Sequence, residues 1–289
     1  MTQTIGNPLS WGVDAARAAG HHLGAVTDRM TSEDASVDHM PEVRRIGVAD
    51  LREALRLGLD DFAACRSDVV FLCLLYPVIG LALAWLALDR DLLPLLFPAI
   101  SGFALLGPVA GVGLYEMSRR REQGLDPSWA DAFAVLASPS FGAILALGLL
   151  LFTIFLAWLI TAAGLHNVIL GPEPPASAAA FLREVLTTGP GWALIVVGCA
   201  VGFFFAALVL MISVVSFPLL LDRDVGIPVA IATSMRVAAA NPGPIAVWGL
   251  IVAAGLALGS LPLFLGLIVV LPILGHATWH LYRVAVVPG

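Results

Sequence analysis

Residues 237–282 read VAAANPGPIAVWGLIVAAGLALGSLPLFLGLIVVLPILGHATWHLY and contain no Asp, Glu, Lys or Arg. A helix rises about 1.5 Å per residue, so about 20 apolar residues cross the ~30 Å hydrocarbon core of a bilayer. This run of 46 residues is long enough for two crossings. Gly and Pro at Gly259-Ser260-Leu261-Pro262 are typical of a turn. The stretch therefore predicts two membrane-spanning helices joined there.

Four earlier uncharged runs have the length of a membrane span: 69–88, 92–115, 140–163 and about 190–215. With the pair above they predict an all-α fold, a polytopic membrane bundle of six transmembrane helices. Residues 1–47 are polar and mixed in charge, and they carry no basic segment followed by an apolar core. We therefore interpret residues 1–47 as a disordered cytoplasmic tail and residues 48–286 as the six-span membrane domain.

Composition supports a membrane protein. The chain of 289 residues is 59% apolar and 12% charged, with a mean hydropathy of +0.93. Soluble domains are about 45–50% apolar and about 25% charged, so this surplus cannot be buried in one soluble globule. A net charge of −6 argues against a nucleic-acid partner, and the three cysteines form no CxxC pair that would indicate a disulfide framework or a thiolate metal site.

Arginine predicts the orientation. All fifteen Lys or Arg residues are arginine. If both termini are cytoplasmic, thirteen of them face the cytoplasm and only Arg90 and Arg183 face outward. Cytoplasmic loops carry an excess of basic residues, so we expect a multi-pass protein of the bacterial inner membrane with cytoplasmic N- and C-termini.

Three amphipathic segments each precede a pair of predicted spans. The first covers residues 48–62, the second begins with Asp126 as N-cap and Pro127 at the first helical position, and the third runs from 226 to 241. We hypothesise a threefold repeat of an interfacial helix plus a helical hairpin, with the interfacial helices on the cytoplasmic face. The alternative is that any loop between arginine-flanked spans looks amphipathic.

Three further stretches support a resemblance. They read GPVAGVGLYE at 107–116 followed by SRR at 118–120, SVVSFP at 213–218 with LDRD at 221–224, and GHATWHLYR at 275–283. Together they resemble the bacterial integral membrane family catalogued as domain of unknown function 2189, over roughly residues 46–286. The resemblance implies a polytopic inner-membrane protein without an assigned activity.

Some members of that family carry the label of cytochrome c oxidase subunit I. A haem-copper oxidase core needs many histidines inside the membrane, whereas the predicted spans here contain only His276 and His280. Six spans are also too few for that subunit. We therefore do not expect oxidase activity, and we find no nucleophile–base pair or phosphate-binding loop that would indicate an enzyme.

His276 and His280 are the candidate cofactor ligands, because residues four apart share one face of a helix. The alternative is that they anchor the helix beside Trp279, Tyr282 and Arg283 in an interfacial belt. Other polar residues lie at the predicted cytoplasmic ends of the spans, where a structural or interaction role is expected. They are Glu116, Arg119, Asp222, Arg223, Asp224, Asn241 and Trp279.

Three functions remain open from the sequence. The first is a non-catalytic accessory, assembly or scaffold component of a membrane complex, such as a respiratory one. The second is a small-molecule or lipid permease, and the third is a haem- or metal-binding protein that uses His276 and His280. The expected partners are the lipid bilayer and other inner-membrane subunits. The sequence identifies no cofactor and leaves homo-oligomerisation open.

Overall fold

The computed structural model describes residues 40–65, 75–86 and 92–287. These residues form helices and contain no β-strand beyond one isolated bridge, which confirms the helical membrane bundle. The α-helices are α1 (Val48–Ala64), α2 (Leu75–Leu86), α3 (Leu96–Phe103), α4 (Gly107–Ala110), α5 (Val112–Glu122), α6 (Phe141–Ile169), α7 (Ala178–Thr187), α8 (Gly189–Ser213), α9 (Ser216–Asp222), α10 (Ile227–Ala240), α11 (Pro242–Ser260) and α12 (Leu267–Ala285). Short 3₁₀ helices lie at Leu93–Leu95, Ala104–Leu106 and Trp129–Ala137.

Five helical segments within the described residues are long and apolar enough to cross a membrane. They correspond to the last five spans predicted from the sequence. The first predicted span, 69–88, lies largely outside the described residues, and α2 is its described part. The five segments are Leu93–Glu122, Phe141–Ile169, Gly189–Asp222, Pro242–Ser260 and Leu267–Ala285.

The segment Leu93–Glu122 is built from short pieces, because Pro94, Pro98 and Pro108 have no backbone N–H to donate. A neighbouring helix also bonds to this segment: the Trp158 indole nitrogen of α6 donates to the carbonyl oxygen of Pro98 at 2.9 Å. Hydrogen bonds from neighbouring helices help an irregular helical segment to lie in a membrane, where no water is present to satisfy the backbone.

The predicted break in the last uncharged run is confirmed. Helix α11 ends at Ser260 and α12 begins at Leu267. Leu263 and Phe264 between them have positive φ angles of 51° and 65°, which reverse the chain in a compact turn.

The three amphipathic segments are all helical. The second one differs from its prediction, because its N-cap is Ser128 rather than Asp126 and its helix is of the 3₁₀ type. The backbone nitrogen and hydroxyl of Ser128 donate to the Asp131 carboxylate at 2.8 and 2.9 Å, so the helix starts where this capping box forms. The third segment is α10, which lies between Gly226 and Asn241 as predicted; the structure makes these two residues its N-cap and C-cap.

The second and third amphipathic helices pack against the end of the preceding span, and the first packs against the last span. The 3₁₀ helix Trp129–Ala137 packs on α5, α10 packs on α8 and α9, and α1 packs on the last helix, α12. A closed ring of three units, each an amphipathic helix plus a helical hairpin, would produce this arrangement, because the first helix would then meet the last span. The threefold repeat itself stays a prediction.

The two ends of the described chain meet. Val43 forms an antiparallel bridge with Val286, and the Arg44 nitrogen donates to the Ala285 oxygen at 2.9 Å. Asn241 holds the same segment through its side chain, which accepts from the Ile46 nitrogen at 2.8 Å and donates to the Arg44 oxygen at 3.0 Å. Residues 41–47, which the sequence assigns to the tail, are thus bonded into the fold. Residues 1–39 lie outside the described part.

The deepest packing lies at one end of the bundle, which we call the arginine-rich end because it carries Arg119, Arg120, Arg121 and Arg283. Here α1 and the C-terminal parts of α5, α9 and α12 meet. The most completely buried side chains at this end are Leu51, Met117, Phe217, Leu219, Leu220, Trp279, Leu281 and Tyr282. The core is therefore concentrated at the polar end of the spans.

The positions of the helix ends favour a sixth crossing. Helix α1 and the C-terminus of α12 share the arginine-rich end. The bond from Trp158, in the second half of α6, places Pro98 towards the opposite end. The chain therefore changes ends between residue 65 and residue 93. The count of six stays a prediction.

Single-cysteine labelling tests this topology. In a cysteine-free background, Glu42→Cys and Gln123→Cys should react with a membrane-impermeant thiol reagent from one side, and Glu173→Cys from the other. All three side chains are exposed, so their accessibility reports sidedness. The arginine distribution predicts that positions 42 and 123 face the cytoplasm. Labelling of positions 42 and 123 from opposite sides would contradict the even number of crossings.

Gly58→Ala tests the packing of α1 on α12. A Cβ at Gly58 would lie 2.6 Å from the Ala277 backbone nitrogen, so the helices must separate. We expect a loss of about 1–3 kcal/mol in the free energy of unfolding, measured by thermal denaturation in detergent. Gly164→Ala is the matched control, because nothing lies within 4 Å of its added Cβ. Equal destabilisation of the two variants would contradict close α1–α12 packing.

Candidate functional site

Buried polar side chains gather where α1, α5 and α12 meet. Glycines allow these helices to approach closely: the Gly58 position in α1 touches the Ala277 backbone of α12. A Cβ at Gly275 would lie 2.5 Å from the Leu114 Cδ1 atom of α5. At these two positions there is space only for a hydrogen atom, so the three helices pack closely. Side chains from all three helices can therefore contact one another in the same interior region.

Four of these side chains form one hydrogen-bonded chain, which we call the polar relay: His276, Ser118, Asp61 and His280. The Ser118 hydroxyl donates to Asp61 Oδ2 at 2.6 Å, and His280 Nε2 lies 2.8 Å from the same oxygen. His276 Nδ1 lies 2.8 Å from Ser118 Oγ. Each of the three helices contributes at least one member, so the relay joins α1, α5 and α12.

The bonding pattern defines the protonation of the relay. Ionised Asp61 can only accept, so Ser118 and His280 both donate to it. The Ser118 oxygen then accepts from an N–H at His276 Nδ1. This tautomer leaves a lone pair on His276 Nε2, a fully buried atom without a hydrogen-bond partner among the described residues.

Asp61 is held in its charged form. Burial alone would raise the pKa of its carboxyl, but the hydrogen bonds from His280 and Ser118 outweigh burial, so the pKa lies below the ordinary 3.8. The Arg121 Nε atom lies 3.4 Å from the other carboxylate oxygen. A buried carboxylate is thus stabilised from both sides.

Glu116 is the centre of a second cluster. Its carboxylate is 2% exposed and accepts from Arg119 Nε at 2.8 Å and from Arg120 Nε at 2.7 Å. Arg120 also pairs with Asp131 of the 3₁₀ helix Trp129–Ala137. This cluster therefore fastens the second amphipathic segment to the end of α5.

Asp222 belongs to a third cluster. The Tyr282 hydroxyl donates to Asp222 Oδ2 at 2.6 Å, and Arg283 Nη1 lies 3.4 Å from the same oxygen. Arg283 Nε also donates to Glu122 Oε1 at 3.0 Å, and the Trp279 indole nitrogen donates to Glu122 Oε2 at 3.0 Å. The ends of α5, α9 and α12 are joined through these side chains.

The remaining predicted residues lie around the chain termini of the fold. Arg223 donates to the carbonyl oxygen of Val287, and Asn241 is buried against the segment 41–47 described above. Asp224 is exposed. The structure therefore distributes the predicted residues over the relay, the two other clusters and the surroundings of the chain ends instead of bringing them into one site.

The interfacial-belt interpretation of Trp279 and Tyr282 is wrong. Their side chains are 0% and 1% exposed, so they do not face lipid at the membrane surface. Their rings pack on each other with centroids 5.5 Å apart. The reason is the packing of α1, α5 and α9 around this part of α12, which leaves no lipid-facing side there.

The two histidines do not converge on a common point. His280 uses Nε2 for Asp61, and His276 uses Nδ1 for Ser118. Within residues 40–65, 75–86 and 92–287, no group of three or more His, Cys, Asp or Glu residues is placed to hold a metal ion. Cofactor binding by the pair stays a prediction.

A cleft of about 400 Å³ opens beside the relay. Its lining consists of two apolar and six polar residues: Leu57, Val284, Asp61, Ser118, Arg121, Glu122, His280 and Arg283. The cleft connects the Asp61 end of the relay to the surface at the arginine-rich end, while His276 stays inside the bundle.

The sequence did not identify Asp61 or Glu122 as site residues, and Ser118 stood out only as part of the motif SRR at 118–120. One signal was available for Asp61: it continues the row Leu51, Ala54, Gly58 at steps of three and four residues. That row is the buried face of α1, so a carboxylate on it requires partners. No comparable signal marks Glu122, because its partners Trp279 and Arg283 are far away in sequence.

The apolar helices and the single polar end define a multi-pass helical integral membrane protein. Comparison with known families agrees. Residues 96–222 match the family described as predicted integral membrane protein, domain of unknown function 2189, which confirms the resemblance over that part of the chain. No curated protein and no solved structure matches the chain.

Asp61→Asn tests the relay. At neutral pH we expect a loss of about 1–3 kcal/mol in unfolding free energy, because a charged acceptor of buried donors is removed. Since the pKa of Asp61 is lowered in the folded state, its stabilising contribution is fully present above the ordinary value of 3.8 and is lost as the pH falls through the lower pKa of the folded state. Thermal unfolding in detergent should separate the variant from wild type at pH 7 and bring them progressively closer as the pH falls below 3.8.

Asp60→Asn is the control for this experiment. Asp60 neighbours Asp61 in sequence but forms an exposed pair with Arg56 at 3.0 Å, so its loss should change stability little. Equal effects at positions 60 and 61, or a difference at position 61 that does not shrink as the pH falls below 3.8, would contradict the assigned role of Asp61.

Proposed function

We propose that this protein is a non-catalytic accessory or scaffold component of an inner-membrane assembly. The observation that carries the proposal is the outer surface of α8. Only 6% of the most apolar window of Gly189–Asp222 is buried inside the chain, compared with 33% for α6 and 44% for α12. A span with so little internal packing is available to a membrane helix of another subunit.

The exposed face of α8 is rich in large side chains. Trp192, Val196 and Phe203 are 55%, 64% and 75% exposed, and steps of four and seven residues place them on one face. Aromatic side chains are frequent anchors in protein interfaces. We infer that this face contacts a transmembrane helix of a partner.

The arginine-rich end supports a structural role. The carboxylates of Asp61, Glu116, Glu122, Asp131 and Asp222 each bind a basic side chain of the same chain. Groups engaged in this way stiffen the helix ends instead of presenting a reactive acid to a substrate. This arrangement favours a rigid platform over an enzyme.

The distribution of arginine supports an inner-membrane location with cytoplasmic termini. Of the arginines in the described residues, Arg183 alone lies beyond the opposite end of the spans, within α7. Retention of positive charge on the cytoplasmic side is the general rule for membrane proteins.

Val196→Trp tests the proposal. The added ring would keep a partner helix away from α8, while the exposed position leaves the fold of this chain unchanged. We expect wild type to retain membrane subunits after affinity purification in mild detergent, as measured by quantitative mass spectrometry. The variant should retain them at a level at least about tenfold lower, which corresponds to ~1.4 kcal/mol of binding free energy.

Val168→Trp is the matched control. Val168 is 85% exposed at the end of α6, so the same substitution is made away from α8. This variant should retain the partners of the wild type. A wild-type protein that purifies alone, or equal retention by the Val196 and Val168 variants, would contradict a scaffold role through α8.

A further inference from the structure

The arginines that the structure describes at the arginine-rich end fall into two groups. One group binds carboxylates of the chain and consists of Arg56, Arg119, Arg120, Arg121, Arg223 and Arg283. The other group has no carboxylate partner among the described residues and consists of Arg44, Arg45, Arg52 and Arg236. All four side chains of the second group are exposed.

The four unpaired arginines lie on one strip of the surface. Arg236 Nη1 donates to the Pro41 oxygen at 3.2 Å, which places the start of the segment 41–47 against α10. Asn241, at the end of α10, donates to the Arg44 oxygen at 3.0 Å. Arg45 follows directly, and Arg52 lies in the second turn of α1. We call these four residues the arginine strip.

Helix α1 indicates how the strip meets the membrane. Val48, Arg52 and Leu59 follow one line along the helix, and both apolar members are exposed, by 58% and 50%. An adjacent exposed face carries charged pairs of Glu53 and Asp60 with Arg56. The line of Val48 and Leu59 therefore suits acyl chains, and a guanidinium between two such side chains suits lipid headgroups.

Acidic groups near the strip do not neutralise it. The Asp50 carboxylate accepts from the Gly47 nitrogen at 2.7 Å and so caps α1. Glu42 is exposed, and its backbone oxygen, not its carboxylate, accepts from Val287. Four cations and two carboxylates leave an excess of positive charge.

We propose that the arginine strip binds anionic phospholipid of the surrounding leaflet through its phosphate. The planar guanidinium donates two parallel hydrogen bonds to phosphate oxygens, which an ammonium cannot do. The exposed apolar line on α1 places acyl chains beside the same arginines, so a lipid satisfies both features and a free phosphate satisfies only one. Arg44, Arg45 and Arg52 have no other side-chain partner in the described residues, so they are available to the headgroup.

The test uses the full chain in phosphatidylcholine nanodiscs into which phosphatidylglycerol is titrated. Native mass spectrometry counts the lipids that stay bound. We expect wild type to select phosphatidylglycerol over phosphatidylcholine. The triple variant Arg44→Gln, Arg45→Gln and Arg52→Gln should lose affinity by about fivefold for each arginine removed. Arg236 is kept, because its bond to Pro41 holds the segment 41–47 in place.

Two further variants of the protein serve as controls. The corresponding triple Lys variant should retain the preference for phosphatidylglycerol with weakened affinity, which separates loss of charge from loss of folding. Arg183→Gln, which removes an exposed arginine from the opposite end, should bind as wild type does. Unchanged affinity in the triple Gln variant, equal binding of phosphatidylcholine, or full competition by inorganic phosphate at the same concentration would overturn the proposal.

Discussion

The structure depends on the contact between α1 and α12, where Gly58 lies against the backbone of Ala277. This close approach brings Asp61 beneath the surface and within hydrogen-bond distance of His280 and Ser118. A larger residue at position 58 would separate the helices, and the Asp61 carboxylate would then lose its donors. The buried charge is stable only because the backbones are this close.

Lipid explains why such contacts matter. Acyl chains are as apolar as the side chains of a membrane helix, so the hydrophobic effect does not decide which helices pair within a bilayer. Close backbone approach and interhelical hydrogen bonds remain as the source of specificity. In this protein they are concentrated at the arginine-rich end. There the relay joins α1, α5 and α12, the Asp222 cluster joins α5, α9 and α12, and Arg120 joins α5 to Asp131 of the 3₁₀ helix. The lipid-facing parts of the spans carry few such bonds.

The polar groups that bind within the chain and the surfaces that face its surroundings are therefore separate parts of the molecule. Most of its carboxylates at the arginine-rich end bind its own arginines, while α8 and the arginine strip face outward with little internal packing or pairing. An apolar helix face suits another membrane helix, and unpaired guanidinium groups suit phosphate. The two proposals therefore rest on different surfaces and different chemistry, and each can fail without the other.

Sequence alone determined the class of fold and the positions of five described spans, because bilayer thickness requires about 20 apolar residues and charge interrupts the runs. It also located the turn near Gly259 and the ends of α10, where Gly, Pro and Asn act locally. The sequence could not predict the hydrogen bond between His276 and Ser118 or the one between Trp279 and Glu122, since these partners are 158 and 157 residues apart along the chain. Only the tertiary structure decided those contacts, because they depend on which helices approach closely, and in lipid small residues and distant hydrogen bonds decide that approach.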